Sequence, residues 1–164
     1  MESNRNRFLG SWKLSSWQCE ADSGEKWYPY GEGAVGYIVY TAEGLVSATL
    51  MKAERPRIGL SRKQRISFSR SLHKMQKEHE AADAETLDVL QKHGLAATTY
   101  TAYCGIFSVE QDCVIHRVRT SLYPDWVGTD LVRVFSFQDD QLHLTARVGE
   151  LMDTLIWQRI ENLD

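Results

Sequence analysis

Cysteine is scarce in this chain, with Cys19, Cys104 and Cys113 the only three among 164 residues. Three thiols make no disulfide framework and fit a reducing compartment. A bridge between Cys104 and Cys113 fails on geometry. If both lie on a hairpin turning at Glu110-Gln111, Cys113 faces Ser108, and Cys104 is four residues further along, about 13 Å at strand spacing. No CxxC or His/Cys cluster has metal-ligand spacing, and neither GxGxxG nor a P-loop occurs, so no metal and no cofactor is expected and redox chemistry is disfavoured. Long apolar runs are missing too: nothing approaches the roughly 18 residues of a membrane span. The N-terminus, MESNRNRFLGSWKL, has no apolar segment of the secretory kind, which makes the expected compartment cytoplasmic. Nor is there a charge excess. With 19 basic and 22 acidic residues the net charge is -3, which argues against nucleic acid as the main partner.

What is present is an ordinary globular composition, 43% hydrophobic and 25% charged, in a chain long enough for one domain with a sizeable core. Short strand-like runs bounded by turn signals occur at 11–20, 35–41, 45–51, 100–109, 113–120, 131–138, 141–148 and 153–160. The stretch 61–93 differs. It is charged and rich in helix formers, carries a loose apolar stripe (Leu72, Met75, His79, Ala82, Leu87, Leu90), and meets a stop signal at Gly94. One or two helices inserted between strands are expected there, packed on the sheet or, on a sharper reading, forming a lid. Strands at this spacing suggest a sandwich or a closed barrel.

Three hairpins give the expected inner faces. A four-residue turn Thr41 to Gly44 pairs Tyr40 with Leu45 and collects Val35, Tyr37, Val39, Val46, Ala48 and Leu50. A turn at Glu110-Gln111 pairs Gly105 with His116 and collects Tyr103, Phe107, Val114, His116 and Val118. A turn at Asp139-Asp140 pairs Gln138 with Gln141 and sets Leu131, Arg133, Phe135 and Phe137 beside Leu142, Leu144 and Ala146. A one-residue slip in any of them would reverse the faces.

An inner face carrying Arg133, His116, Tyr37 and Tyr103 among apolar residues has the make-up of a small-molecule cavity. A buried guanidinium is costly, so Arg133 needs a carboxylate (Asp125, Asp130, Glu150 or Asp153), carbonyls or an anionic ligand. The plainer alternative is a rim arginine in an ion pair, its stem over Phe135. For His116 the plainer alternative is a core histidine bonded to a carbonyl, and for the tyrosines it is packing. Between Ser121 and Asp130 a Pro- and Gly-punctuated loop offers Asp125 and Trp126 to a ligand.

Gly10-Ser11-Trp12 near the start and LIWQR at the end, Leu155 to Arg159, resemble the two ends of a lipocalin or calycin barrel. That resemblance implies that Arg159 packs across the ring of Trp12 at the closed base, a cation–π contact. The stretches YPYGEGAVGYIVYTAEGLVSATLM (28–51), ERPR (54–57), Val114-Ile115-His116 and SLYPDWVGTDLVRVFSF (121–137) are similar to those of short bacterial and fungal lipocalin-like domain proteins. The resemblance implies a mainly β fold, an up-and-down antiparallel barrel with an apolar cavity, here a single lipocalin-like domain over 1–164. The helical insertion at about 61–93 is read from its own residues and is longer than the resemblance leads one to expect. Several relatives look like accessory proteins of secondary-metabolite pathways.

Two classes of function are then expected. One is a cofactor-independent enzyme, a cyclase or isomerase acting on a hydrophobic oxygenated molecule of polyketide or terpenoid type. Arg133 would polarise a carbonyl, His116 would move a proton, and Tyr37, Tyr103, Phe107, Asp125, Trp126 and Phe135 would line the substrate. Dehydration or hydrolysis would use the same groups. The other is a non-catalytic carrier of a small hydrophobic ligand, with Arg133 as its anchor. A structural or protein-interaction domain fits the inward polar groups less well, and an aromatic-rich exterior could mediate a dimer.

Overall fold

The computed structural model describes residues 4–161. Period-two alternation along the long strands places alternate side chains inside, as in Trp12 and Leu14, or Leu142, Leu144 and Ala146,. The strands are β1 (Gly10–Ala21), β2 (Lys26–Trp27), β3 (Val35–Tyr40), β4 (Leu45–Met51), β5 (Tyr100–Glu110), β6 (Cys113–Ser121), β7 (Asp130–Gln138), β8 (Gln141–Val148) and β9 (Leu151–Arg159). The helices are α1 (Asn4–Phe8), α2 (Arg62–Glu78) and α3 (Ala84–Thr98), with a 3-10 turn at Pro124–Trp126.

Every pairing is antiparallel and follows the order β1-β3-β4-β5-β6-β7-β8-β9, after which β9 returns to β1 from Trp12↔Arg159 to Ala21↔Leu151. Eight strands therefore close a barrel, and β2 is appended to β1. Closure leaves no open edge in the main sheet. All eight expected strands are present.

The chain divides into two compact units, one made of the segments up to Ala53 and from Thr99, the other spanning Glu54–Thr98. In the second unit, α2 begins with a reciprocal capping box between Ser61 and Gln64 and ends at His79 in the left-handed conformation,. Asp83 caps α3 through the Thr86 amide, and Phe68 stacks on His93 at 5.7 Å. Gly94 does not stop the helix; α3 runs on to Thr98. Its neighbours supply enough helix propensity to carry one glycine, at a cost of about 1 kcal/mol.

One end of the barrel is filled by an aromatic plug built on Phe8, which is fully buried. Its ring meets Tyr40, Phe135 and Phe137 edge-on at 5.1, 4.9 and 5.1 Å. Trp12 donates its indole N–H to the Phe8 carbonyl at 2.8 Å. The Arg159 guanidinium lies 4.1 Å from the Trp12 ring centre and donates to the carbonyls of Leu9 (2.9 Å) and Arg7 (2.5 Å). The cation–π seal implied by the sequence resemblance is thus in place, with carbonyl contacts that hold the guanidinium flat on the ring.

Two hairpin registers differ from expectation. Between β3 and β4 the partners are Tyr40↔Val46, and the Thr41 amide donates to the Leu45 carbonyl at 2.9 Å. The loop is three residues, Ala42 to Gly44, with Gly44 at φ 98,. One residue fewer in the turn reverses β3, so Gly36, Ile38 and Tyr40 face inward and Tyr37 is 43% exposed on the outside,. Between β5 and β6 the turn lies one residue later than expected, with Glu110↔Cys113 closing it. That shifts partners by two and preserves the faces: His116 pairs with Phe107, and Gly105 lies beside Val118 rather than His116. The β7–β8 register agrees, from Gln138↔Gln141 through Phe135↔Leu144.

Candidate functional site

Within the barrel, the side chains that face inward above the plug enclose a cavity of about 60 Å³. Trp17, Thr101, Tyr103, Trp126, Arg133, Asp153 and Trp157 line it among Ile38, Ala48, Leu50, Leu144 and Leu155. Each comes from an inward position of its strand, except Trp126, which the 3-10 turn folds over so that its ring meets Tyr103 at 6.0 Å and Tyr123 at 5.1 Å.

Next to this space His116 bridges two tyrosines and is itself fully buried. Tyr40 Oη lies 2.9 Å from Nε2 and Tyr103 Oη lies 2.8 Å from Nδ1. Burial, and then the charge of Arg133, push the imidazole from its ordinary 6.5 down to about 3. It is therefore neutral, with one nitrogen donating and the other accepting. Donor accounting selects the tautomer. Among the described residues Tyr40 has no acceptor for its O–H except His116, so that proton goes to Nε2. Nδ1–H then donates to Tyr103, whose own O–H is released toward the cavity that Tyr103 lines. The reverse arrangement would strand the Tyr40 proton in the dry core, at about 1–3 kcal/mol. Burial raises Tyr103 to about 12, with Arg133 opposing, and raises Tyr40 well above the ordinary tyrosine value, helped by Tyr103. Both hydroxyls stay protonated.

Arg133 occupies the inward position opposite Val114 that the β7–β8 turn dictates. Its one hydrogen bond among the described residues runs from Nη1 to the Val132 carbonyl at 3.1 Å. Among the described residues no carboxylate comes within ion-pair distance. Asp130, an expected partner, lies 3.8 Å from Arg117 instead. Trp157, 1% exposed, carries an indole N–H with no acceptor among the described residues. Asp153 sits on the β1–β9 seam opposite Cys19. Its Oδ1 accepts from Trp17 Nε1 at 2.5 Å and from the Cys19 thiol at 3.4 Å. Burial, with Asp153 beside it, pushes that thiol up to about 12, so it stays a donor rather than a nucleophile,.

Of the residues expected from sequence, Arg133, Tyr103 and Trp126 line the cavity. His116 stands behind Tyr103 with both nitrogens occupied, which leaves it no direct approach to a substrate. Phe107 and Phe135 belong to the aromatic plug, Asp125 is exposed on its loop, and Tyr37 points outward, a correction that follows from the three-residue β3–β4 loop. Sequence reasoning missed Tyr40, Trp17 and Trp157, and took Asp153 only as a partner for Arg133. No group of three or more His, Cys, Asp or Glu side chains among the described residues is placed to hold a metal ion.

A family model described as a lipocalin-like domain matches residues 9–160. Among solved structures, a lipocalin-like protein from Bacteroides uniformis ATCC 8492 aligns at 10% identity and TM-score 0.44, over 94% of this chain and 99% of that one. An uncharacterized protein from Bacteroides eggerthii DSM 20697 aligns at 7% identity and TM-score 0.42, over 93% and 99%. The wild-type fluorescent protein UnaG aligns at 8% identity and TM-score 0.38, over 94% and 98%. No curated protein matches the chain.

Proposed function

Because the chain belongs to the lipocalin-like domain family, a barrel fold suited to small hydrophobic ligands, we propose that it binds a small apolar molecule through one oxygen-bearing group. The observation that carries this reading is a set of donors with capacity to spare around one cavity: the half-buried Arg133 guanidinium, which meets only the Val132 carbonyl among the described residues, the released Tyr103 hydroxyl, and the buried Trp157 indole N–H, which has no acceptor among them. Unmet donors of this kind cost about 1–3 kcal/mol each, and a carbonyl or carboxylate oxygen would satisfy them.

The volume favours a compact ligand. Pockets that take drug-sized molecules measure roughly 300–1,000 Å³, well above the 60 Å³ found here, so a polyketide or terpenoid would enter only if the barrel opened. Carriage of a small carbonyl compound or acid is therefore the reading the geometry supports best. Cyclisation or isomerisation in a secondary-metabolite pathway asks in addition for a group that moves a proton.

Cyclopentanone and cyclopentanecarboxylate are suitable probes, followed by NMR of the Trp157 indole N–H. Either probe should shift that resonance downfield, and Arg133→Met should weaken binding at least tenfold while raising the melting temperature, since it removes a charge that has no partner. Undiminished binding by the variant, or a loss of stability typical of a broken ion pair, would overturn the anchor role.

A further inference from the structure

The cavity holds one formal positive charge and one formal negative charge that do not pair. Arg133 and Asp153 both line it, yet no ion pair joins them among the described residues. Asp153 is held in place by its Oδ1 alone, through Trp17 and Cys19, and Oδ2 has no hydrogen-bond partner among the described residues. A carboxylate fixed by one oxygen and open at the other is a positioned proton acceptor. The donors Tyr103 and Arg133 are placed to hold an oxygen on which charge develops.

The geometry points to proton transfer at the carbon next to a carbonyl, with Asp153 as the base and Tyr103 and Arg133 holding the enolate oxygen. This rests on the ligand reading above and deepens it, by naming the ligand class and the reaction. The substrate is an uncharged carbonyl compound, because a carboxylate, although Arg133 could hold it, has an α-proton far too weakly acidic for a carboxylate base to remove. For a β,γ-unsaturated ketone the step balances within the substrate. Asp153 Oδ2 takes the proton from the α-carbon, and the C–H electron pair forms the dienolate. The protonated Asp153, which can exchange with solvent meanwhile, then gives a proton to the γ-carbon, which yields the conjugated ketone and restores the carboxylate. No oxidant, reductant or co-substrate enters. His116 is a positioning residue: accepting from Tyr40 and donating to Tyr103, it turns the Tyr103 hydroxyl outward to the substrate oxygen.

The test uses pent-4-en-2-one with the full chain in deuterated buffer, with formation of pent-3-en-2-one and deuterium uptake followed by proton NMR. Conversion on the order of 10²-fold above buffer alone is expected, and Asp153→Asn should lose it while the ketone still shifts the Trp157 indole signal. Asp153→Glu, which keeps the carboxylate but moves it, serves if the asparagine variant does not fold, and should retain part of the rate. Binding of the ketone by wild type without conversion or deuterium uptake would overturn proton transfer and leave the ligand reading standing. Conversion that survives Asp153→Asn would overturn the assignment of the base. If no carbonyl probe shifts the indole signal, the ligand reading falls and this inference falls with it.

Discussion

Acidification from pH 7 to pH 5 should remove about 2 kcal/mol of stability through His116 alone. Its folded-state value of about 3 lies below the ordinary 6.5. Between those two values the unfolded chain binds a proton that the folded chain refuses. The contribution is therefore complete above pH 6.5 and is lost as the pH falls toward 3. Each unit is worth about 1.4 kcal/mol, which gives about 3 kcal/mol by pH 4. No solvent discount applies, because the ring is fully buried between Tyr40 and Tyr103.

The assay is urea unfolding, followed by tryptophan fluorescence at pH 7, 5 and 4, for wild type and His116→Gln. Glutamine can still accept from one tyrosine and donate to the other, but it does not titrate. The variant should be less stable at pH 7 and lose less on acidification, so the two curves converge. Subtracting them removes the carboxylates, which titrate in both proteins. Nitrogen-15 NMR adds a second readout, with Nδ1 protonated and Nε2 bare down to pH 4. Parallel losses in the two proteins would refute a neutral buried imidazole, and the opposite tautomer would refute the donor accounting at Tyr40.

Three substitutions test the framework around this site. A Cβ at Gly105 would lie 2.0 Å from the Arg117 carbonyl oxygen, where the β5–β6 ladder shifts register between Cys104 and Gly105, so Gly105→Ala should cost about 2 kcal/mol or more by thermal denaturation. Tyr40→Phe should cost about 1–3 kcal/mol, because it leaves Nε2 without its donor in the core, whereas Tyr37→Ser on the exterior should stay within about 0.5 kcal/mol. Equal effects at the two tyrosines would refute the β3 register.

That tyrosine pair also shows how far the sequence could be read. The β7–β8 faces were legible because Asp139-Asp140 is a two-residue turn, with Asp139 at φ 51, and the flanking alternation is unambiguous. In β3 both faces are apolar: Val35, Tyr37 and Val39 against Ile38 and Tyr40 beside Gly36. Pattern could not arbitrate between them, and Gly44 suits a three-residue loop as well as a four-residue one. An odd error in loop length turned the strand over and hid Tyr40. The two-residue error at β5–β6 kept His116, Tyr103 and Phe107 inside while misplacing the glycine. Asp153 and Trp157 escaped for another reason. Their role depends on β9 closing against β1, a contact across almost the whole chain that no hairpin argument reaches.

The two ends of the barrel interior treat polar groups in opposite ways, and this contrast bears on function more than any one residue does. At the plug the inward polar groups are met by protein: the Trp12 indole by the Phe8 carbonyl, the Arg159 guanidinium by the Leu9 and Arg7 carbonyls and the Trp12 face. Around the cavity the Trp157 indole N–H meets no acceptor among the described residues, Arg133 meets only the Val132 carbonyl, the Tyr103 hydroxyl is free to donate, and Asp153 keeps one oxygen without a partner among them. At about 1–3 kcal/mol per unmet group, the open set is large beside the 5–15 kcal/mol that stabilises a typical domain. A leucine at 133 and a phenylalanine at 103 would pack the same space without that cost. Violations of local rules gather where function opposes stability, and here they gather around a single space. On the proposed reading an oxygen-bearing ligand would accept from these donors, a role that packed apolar side chains could not fill.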